Sequence, residues 1–264
     1  MIYFAGVRCV GVMALIMVVS SVWTSNTRPA ELPPSQEIFK WVERFGPIRE
    51  VGIQEYANQR IYRVLKSDGC PRAETRVRMS FGKSTGKKFT VVSRQGSGWV
   101  HRFVFQRLLD AETETSAGKE KQDSSITTKN YTFTPAGTDV IRGHPCWVFD
   151  AKPRVSAKYL FVGRVYINKT DYGIVRMDGS PAKSLSFWVK QAHIIRDYEK
   201  VGPFWMPLRD HTETQIRIFG SHVLDILYDE YRIKHNELDL PGLEPSHYQA
   251  GEVGGFAVSV RQEK

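Results

Sequence analysis

The stretch Glu74-Thr75-Arg76-Val77-Arg78-Met79-Ser80-Phe81 sets large apolar residues (Val77, Met79, Phe81) against charged or polar ones (Arg76, Arg78, Ser80). Successive side chains of a strand point to opposite faces, so this period of two predicts a strand with one dry and one wet face. Gly82–Gly86 is a polar turn, and with Lys87–Arg94 beyond it the two segments predict a hairpin. Downstream, Tyr131–Pro135, Asp139–Ile141, Cys146–Ala151, Tyr159–Asn168, Gly173–Asp178, Ser186–Glu199, Trp205–Phe219 and His222–Ile233 read as further strands. Gly143, Asp171, Gly202-Pro203 and Gly220 mark the turns. In Thr212–Phe219 the alternation is again clean, with Thr214, Ile216 and Ile218 opposed to Glu213, Gln215 and Arg217. Regular strands with short connections predict a mainly β, α+β protein: a meandering antiparallel sheet curled toward a barrel.

Two helices interrupt the strands. Ser35 is placed to cap the first, which carries Ile38, Phe39, Trp41, Val42 and Phe45 on one side for about three turns and is expected to stop at Gly46-Pro47. In the second, Trp99, Val100, Phe103, Val104, Leu108 and Leu109 recur at helical spacing opposite Arg102, Gln106 and Asp110, so both helices should lie on the sheet. Ala111–Lys129 is polar and reads as helix end and loop. The tail Gly242–Lys264, with Gly251, Gly254 and Gly255, has little periodicity and reads as loosely held. No internal repeat of fixed period is visible.

Among 264 residues, 41% are hydrophobic and 25% charged, the composition of a folded globular chain rather than a disordered one. In Met1–Ser25 the only charge is Arg8, and the apolar run Cys9–Val19 is followed by small and polar residues, the pattern of a secretory signal with cleavage expected between Ser21 and Ala30. The rival is an uncleaved anchor, which Trp23 and the weak cleavage site keep open, although the run is short for a full span. Loss of Arg8 lowers the formal charge by one, from +9 to +8, and a basic exported domain suits anionic surfaces such as lipid head groups. Cys9 falls in the signal, leaving Cys70 and Cys146 in an oxidising compartment, where they either bridge or stay separate thiols. The expected organisation is signal peptide 1–25, linker and amphipathic helix 26–50, half-barrel domain 51–240 and tail 241–264.

The residue patterns of common chemistries are missing. The seven histidines lack metal-ligand spacing apart from His144 beside Cys146, so no metal and no other cofactor is expected. Gly82-Lys83-Ser84-Thr85-Gly86-Lys87-Lys88 has three residues where a phosphate loop needs four between its glycines, and it joins two strands instead of opening a helix. Gly96-Ser97-Gly98 has the wrong spacing for a nucleophile elbow. Cys146, between Pro145 and Trp147-Val148-Phe149, reads as a packed core thiol rather than a nucleophile. Basic residues are spread along the chain, and export removes nucleic acid as a partner. A non-enzyme is expected. The second half is crowded with aromatics, among them Trp147, Phe149, Phe161, Trp188 and Trp205. They are the candidate walls of an apolar pocket under the helices, with an ordinary barrel core as the plain alternative.

Gly143-His144-Pro145-Cys146-Trp147-Val148, Tyr159–Ile167, Asp171-Tyr172-Gly173-Ile174-Val175-Arg176, Pro181-Ala182-Lys183, Ser186-Phe187-Trp188 and Val201–Pro207 resemble the outer-membrane lipoprotein-sorting, LolA-like superfamily, which includes LolB and RseB. The resemblance covers roughly Tyr131–Ile233 well and the N-terminal half by pattern alone. It implies a half-open antiparallel barrel lidded by helices around a cavity for acyl chains. It also implies periplasmic, non-catalytic binding of lipid or lipoprotein acyl chains, with sorting to the outer membrane as the family's transport role. The alternative is an envelope sensor or scaffold that binds a protein partner through the same fold, as RseB-like proteins do. The chain lacks the acylated cysteine that tethers the family's receptor, so no family residue is carried over as a site.

Overall fold

All strand pairings in the computed structural model are antiparallel. It describes residues 33–66, 68–114, 125–157, 160–183, 189–216, 220–241 and 251–255. Contacts divide the chain into Met1–Glu31 and Leu32–Lys264, and every described residue belongs to the second unit. The export signal expected at Met1–Ser25 lies outside the described residues, as do Tyr159, Phe187 and Trp188.

Chain order runs α1 (Ser35–Gly52), β1 (Ile53–Leu65), β2 (Pro71–Gly82), β3 (Gly86–Gly96), then a helical segment of three parts. These are α2 (Gly98–Val100), a π-helical turn (His101–Phe105) and α3 (Gln106–Glu114). β4 (Tyr131–Ile141), β5 (His144–Pro153), β6 (Phe161–Asn168), β7 (Ile174–Pro181), β8 (Val189–Val201), β9 (Phe204–Ile216), β10 (Gly220–His235) and β11 (Gly251–Gly254) follow. The sheet order is β3-β2-β1-β10-β9-β8-β7-β6-β5-β4, with β11 added to β10. Two meanders are thus joined by the pairing of β1 with β10. Among the described residues β3 and β4 are the open edges, and the helical segment 98–114 lies in the connection between them. The expected hairpin is β2–β3, with Val77, Met79 and Ala73 buried and Arg76, Arg78 and Ser80 exposed.

Contacts of α1 show how far the sheet curls. Phe39 stacks on Phe133 of β4, ring centroids 3.5 Å apart, and meets Phe149 of β5 edge-on at 5.2 Å. Phe45 packs with Phe204 of β9 and Tyr228, Tyr231 and Ile233 of β10. Phe39 and Phe45 are separated by about 9 Å of helix, whereas β5 and β10 would be about 24 Å apart in a flat sheet. One short helix reaches both because the sheet bends around it, giving the curved, half-open antiparallel barrel the sequence predicts.

Four local expectations are corrected. Ser35 makes no capping hydrogen bond and α1 starts after Pro34. The helix also runs through Gly46-Pro47 to Gly52. An interior proline costs roughly 3 kcal/mol, but the last turn is held by tertiary contacts: Ile48 packs in the core and the buried Arg49 donates to the Asp171 carbonyl at 2.8 Å. The two short strands expected at 131–141 are one strand, its register shifted between Pro135 and Gly137, a bulge on an open edge where proline needs no ladder partner. Within the tail, Gly251–Gly254 pairs with Arg232–His235. No helix among the described residues is long and apolar enough to cross a membrane.

Candidate functional site

The helical segment 98–114 covers β1, β2 and β3 but does not bury all of its apolar side chains. Val100, Phe105 and Leu109 join Tyr62, Val64, Ala73 and Val77 in a core. Val100 and Phe105 are five residues apart, and the π turn between them brings both to the sheet, since its hydrogen bonds span five residues. His101 fixes that turn. Its Nε2–H donates to the Gln95 carbonyl at 3.0 Å, leaving Nδ1 to accept from the Thr75 hydroxyl at 2.7 Å. The same winding turns Trp99 and Phe103 outward, 56% and 43% exposed and with ring centroids 5.3 Å apart.

Beneath Trp99 lies a chamber of about 470 Å³ walled by Val100 and Val104 of the helical segment and by Val64, Val223 and Leu224 of the strands. Arg72, Thr214 and His222 complete its lining. Thr214, Val223 and His222 also line a polar groove of about 830 Å³ whose further lining includes Gln191, His193, Glu213 and Ser221; by strand alternation these four side chains project from the face of the sheet opposite to Thr214, His222 and Leu224. In the groove His193 meets Asp178 at 3.0 Å, and His211 meets Asp225 at 2.7 Å and Glu213 at 3.3 Å.

The inner faces of β1 and β10 continue past the chamber into a buried polar cluster. On β1 the face that carries Val64 carries Tyr62 and then Arg60, which is 3% exposed. The Arg60 guanidinium donates to Glu112 of α3 at 2.7 Å, to Tyr62 at 3.3 Å and to Asn58 at 3.2 Å, and it lies over the rings of Tyr228 and Phe89. Burial alone would raise the Glu112 carboxyl. The charges of Arg60 and Lys87, the latter 3.0 Å away, outweigh it and hold Glu112 below the usual carboxylate range. Tyr228 donates to Asp210 at 2.9 Å, and Arg196 grips the same carboxylate with two nitrogens at 2.5 and 2.7 Å.

The aromatic residues expected to wall a pocket are divided between two cores, one on each face of the second half of the sheet. Phe149 is 1% exposed in the α1 core, with Trp147 and Phe161 packed against it, while Cys146, Val148, Tyr166 and Trp205 pack on the opposite face. The aromatics are used up because buried clusters form on both faces of this part of the sheet. Trp205 lines a separate cavity of about 280 Å³ beside α1, its indole against Gly173 and its Nε1–H donating to the Asp171 carboxylate at 3.0 and 3.1 Å. Asp171 also receives Lys200 at 2.8 Å. Burial would raise its pKa, but Arg49 and Lys200 prevail and lower it. Trp188 lies outside the described residues.

The two cysteines are separate thiols here, Cys70 exposed and Cys146 buried. They belong to opposite ends of the sheet: Cys70 precedes β2 and Cys146 sits in β5, with six strands between β2 and β5. Burial pushes the Cys146 thiol up to about 11, which leaves little thiolate for nucleophilic chemistry. Among the described residues no group of three or more His, Cys, Asp or Glu is placed to hold a metal ion.

Trp99, Arg72, Leu224 and His222 of the chamber were not singled out as site residues in the sequence. Trp99 and Phe103 are four residues apart, and six apolar residues on a helix this short exceed what one buried stripe takes up, which is the signal that was present. Arg72 and His222 become neighbours through the pairings of β2 with β1 and β1 with β10.

The class defined by these features is an open, curved antiparallel half-barrel whose helices cover apolar chambers. No family model matches the chain, and no curated protein matches it. Solved structures do. A LolA superfamily protein from Nitrosomonas europaea is 11% identical, covering 77% of this chain and 94% of its own, with a TM-score of 0.37. An outer-membrane lipoprotein-sorting protein domain from Vibrio parahaemolyticus is 10% identical, covering 78% and 95%, with a TM-score of 0.38. The MucA/MucB complex of Pseudomonas aeruginosa is 9% identical, covering 73% and 93%, with a TM-score of 0.27. With TM-scores this low, the fold assignment rests on the strand order and register of this chain.

Proposed function

We propose that this protein binds an acyl chain, of a lipid or a lipidated protein, without catalysis and in the periplasm. The observation that carries the reading is the apolar chamber beneath Trp99, walled by valines and Leu224 and completed by the polar side chains of Arg72, Thr214 and His222. A volume of about 470 Å³ falls within the range of roughly 300–1,000 Å³ that ligand pockets occupy. An amphiphile matches the arrangement, with its chain against Val64, Val104 and Leu224 and its head beside Arg72, Thr214 and His222. Residues 1–25 support export, and the net basic charge suits a membrane-associated ligand.

The test is native mass spectrometry of the protein extracted gently from the periplasm, then lipid identification after denaturation. The expected result is a mass shift that disappears on denaturation and matches an acyl-containing species. A clean unliganded mass that stays unchanged when lipid is added would overturn the proposal. The exposed Trp99–Phe103 pair would then be read as the anchor for a protein partner, since exposed aromatics commonly carry interface energy.

A further inference from the structure

Arg72 brings a positive charge to the lining of the apolar chamber. Its guanidinium lies 3.2 Å from His222 Nε2, while His222 Nδ1 faces the Gly220 carbonyl at 3.4 Å. A carbonyl only accepts, so Nδ1 carries the hydrogen and Nε2 accepts from Arg72, which makes His222 a neutral partner that orients the cation. Among the described residues no carboxylate lies within ion-pair distance of Arg72. The acids around the groove are engaged elsewhere: Asp178 with His193, Glu213 with His211, Asp225 with Arg209 and His211.

The backbone under Arg72 is also fixed. Its carbonyl accepts from Ser97 N–H at 3.0 Å, at the start of the segment that carries Trp99. Gly96 approaches so closely that a Cβ there would sit 2.4 Å from the Arg72 oxygen. The cation is therefore held beside the chamber mouth by the same junction that sets the helix over it.

We infer that the ligand of this chamber is a single-chain amphiphile with an anionic head, a carboxylate or a phosphate, received by Arg72. This rests on the acyl-chain reading above and narrows it. The planar guanidinium offers paired donors that match either head, whereas a neutral or cationic head leaves the charge unanswered. His222 is a positioning residue, lining the chamber beside Arg72 and accepting from its guanidinium.

The experiment is calorimetric titration of the full chain with laurate, dodecyl phosphate and dodecanol, repeated on Arg72→Gln. Arg72 is exposed, so the variant should keep the native urea midpoint. The expected result is that at least one anionic ligand binds about tenfold or more tightly than dodecanol, and that Arg72→Gln abolishes this preference, so that the anionic ligands bind the variant no more tightly than dodecanol does. The tighter of laurate and dodecyl phosphate identifies which head is meant. Equal binding of all three, or a preference that survives in Arg72→Gln, overturns the anionic-head inference and leaves the chamber reading in place. Failure of all three to bind overturns both.

Discussion

Glu112→Gln tests the buried cluster that ties α3 to the sheet. In the native protein Glu112 takes Arg60 at 2.7 Å and Lys87 at 3.0 Å, its side chain 31% exposed and that of Arg60 3% exposed. The substitution keeps the shape and one acceptor but leaves the buried guanidinium with only the neutral partners Asn58 and Tyr62. Removing one member of a fully buried pair costs about 3–5 kcal/mol. Partial exposure of Glu112 and the retained amide oxygen reduce that to about 2 kcal/mol, a fall in Tm of roughly 4–8 °C for a domain of this size. Urea unfolding followed by tryptophan fluorescence reads it.

The pH dependence has a definite sign. The folded-state pKa of Glu112 is depressed, so its contribution is complete above the unfolded value of about 4.3 and is lost as pH falls through the folded value. The gap between native protein and Glu112→Gln should therefore be full at neutral pH and close as the solution is acidified below about pH 4. A gap under about 0.5 kcal/mol at neutral pH, or one that widens on acidification, would refute the account of the cluster.

Phe39→Ala removes the ring packed between Phe133 and Phe149 and should cost about 3–5 kcal/mol, seen as a lower urea midpoint; a change below about 1 kcal/mol would mean that α1 is not docked as described. Gly173→Ala places a Cβ 2.0 Å from the Trp205 indole, so it should lower stability by about 1–3 kcal/mol and alter tryptophan emission, and an unchanged spectrum and midpoint would contradict that contact. A thiol reagent should label Cys70 rapidly in the native protein and Cys146 only after unfolding; if neither reacts until a reductant is added, the two are bridged after all.

The period-two alternation at 74–81 and the polar turn after it determined the hairpin, because residues that point alternately in and out are forced into that pattern wherever one face is dry. The turn signals downstream placed most of the remaining strands to within a few residues. Both helices were also legible, since Ile38, Trp41, Val42 and Phe45, like Val100, Val104 and Leu108, fall at helical spacing. The continuation of α1 past Pro47 was not legible. Local propensity ends a helix there, and the contact that overrides it, Arg49 to Asp171, joins residues 122 positions apart.

The candidate site was less visible for the same reason. Trp147, Phe149, Phe161 and Trp205 announce bulk but not direction, and only the tertiary packing on the two faces of β5 sends them into two cores. Arg72 and His222 are 150 positions apart and carry no motif. Sequence by itself determined which residues must leave water. Which strands become neighbours, and hence which leftover charge ends beside which leftover apolar surface, was decided by the pairing of β1 with β10, where two distant halves of the chain meet.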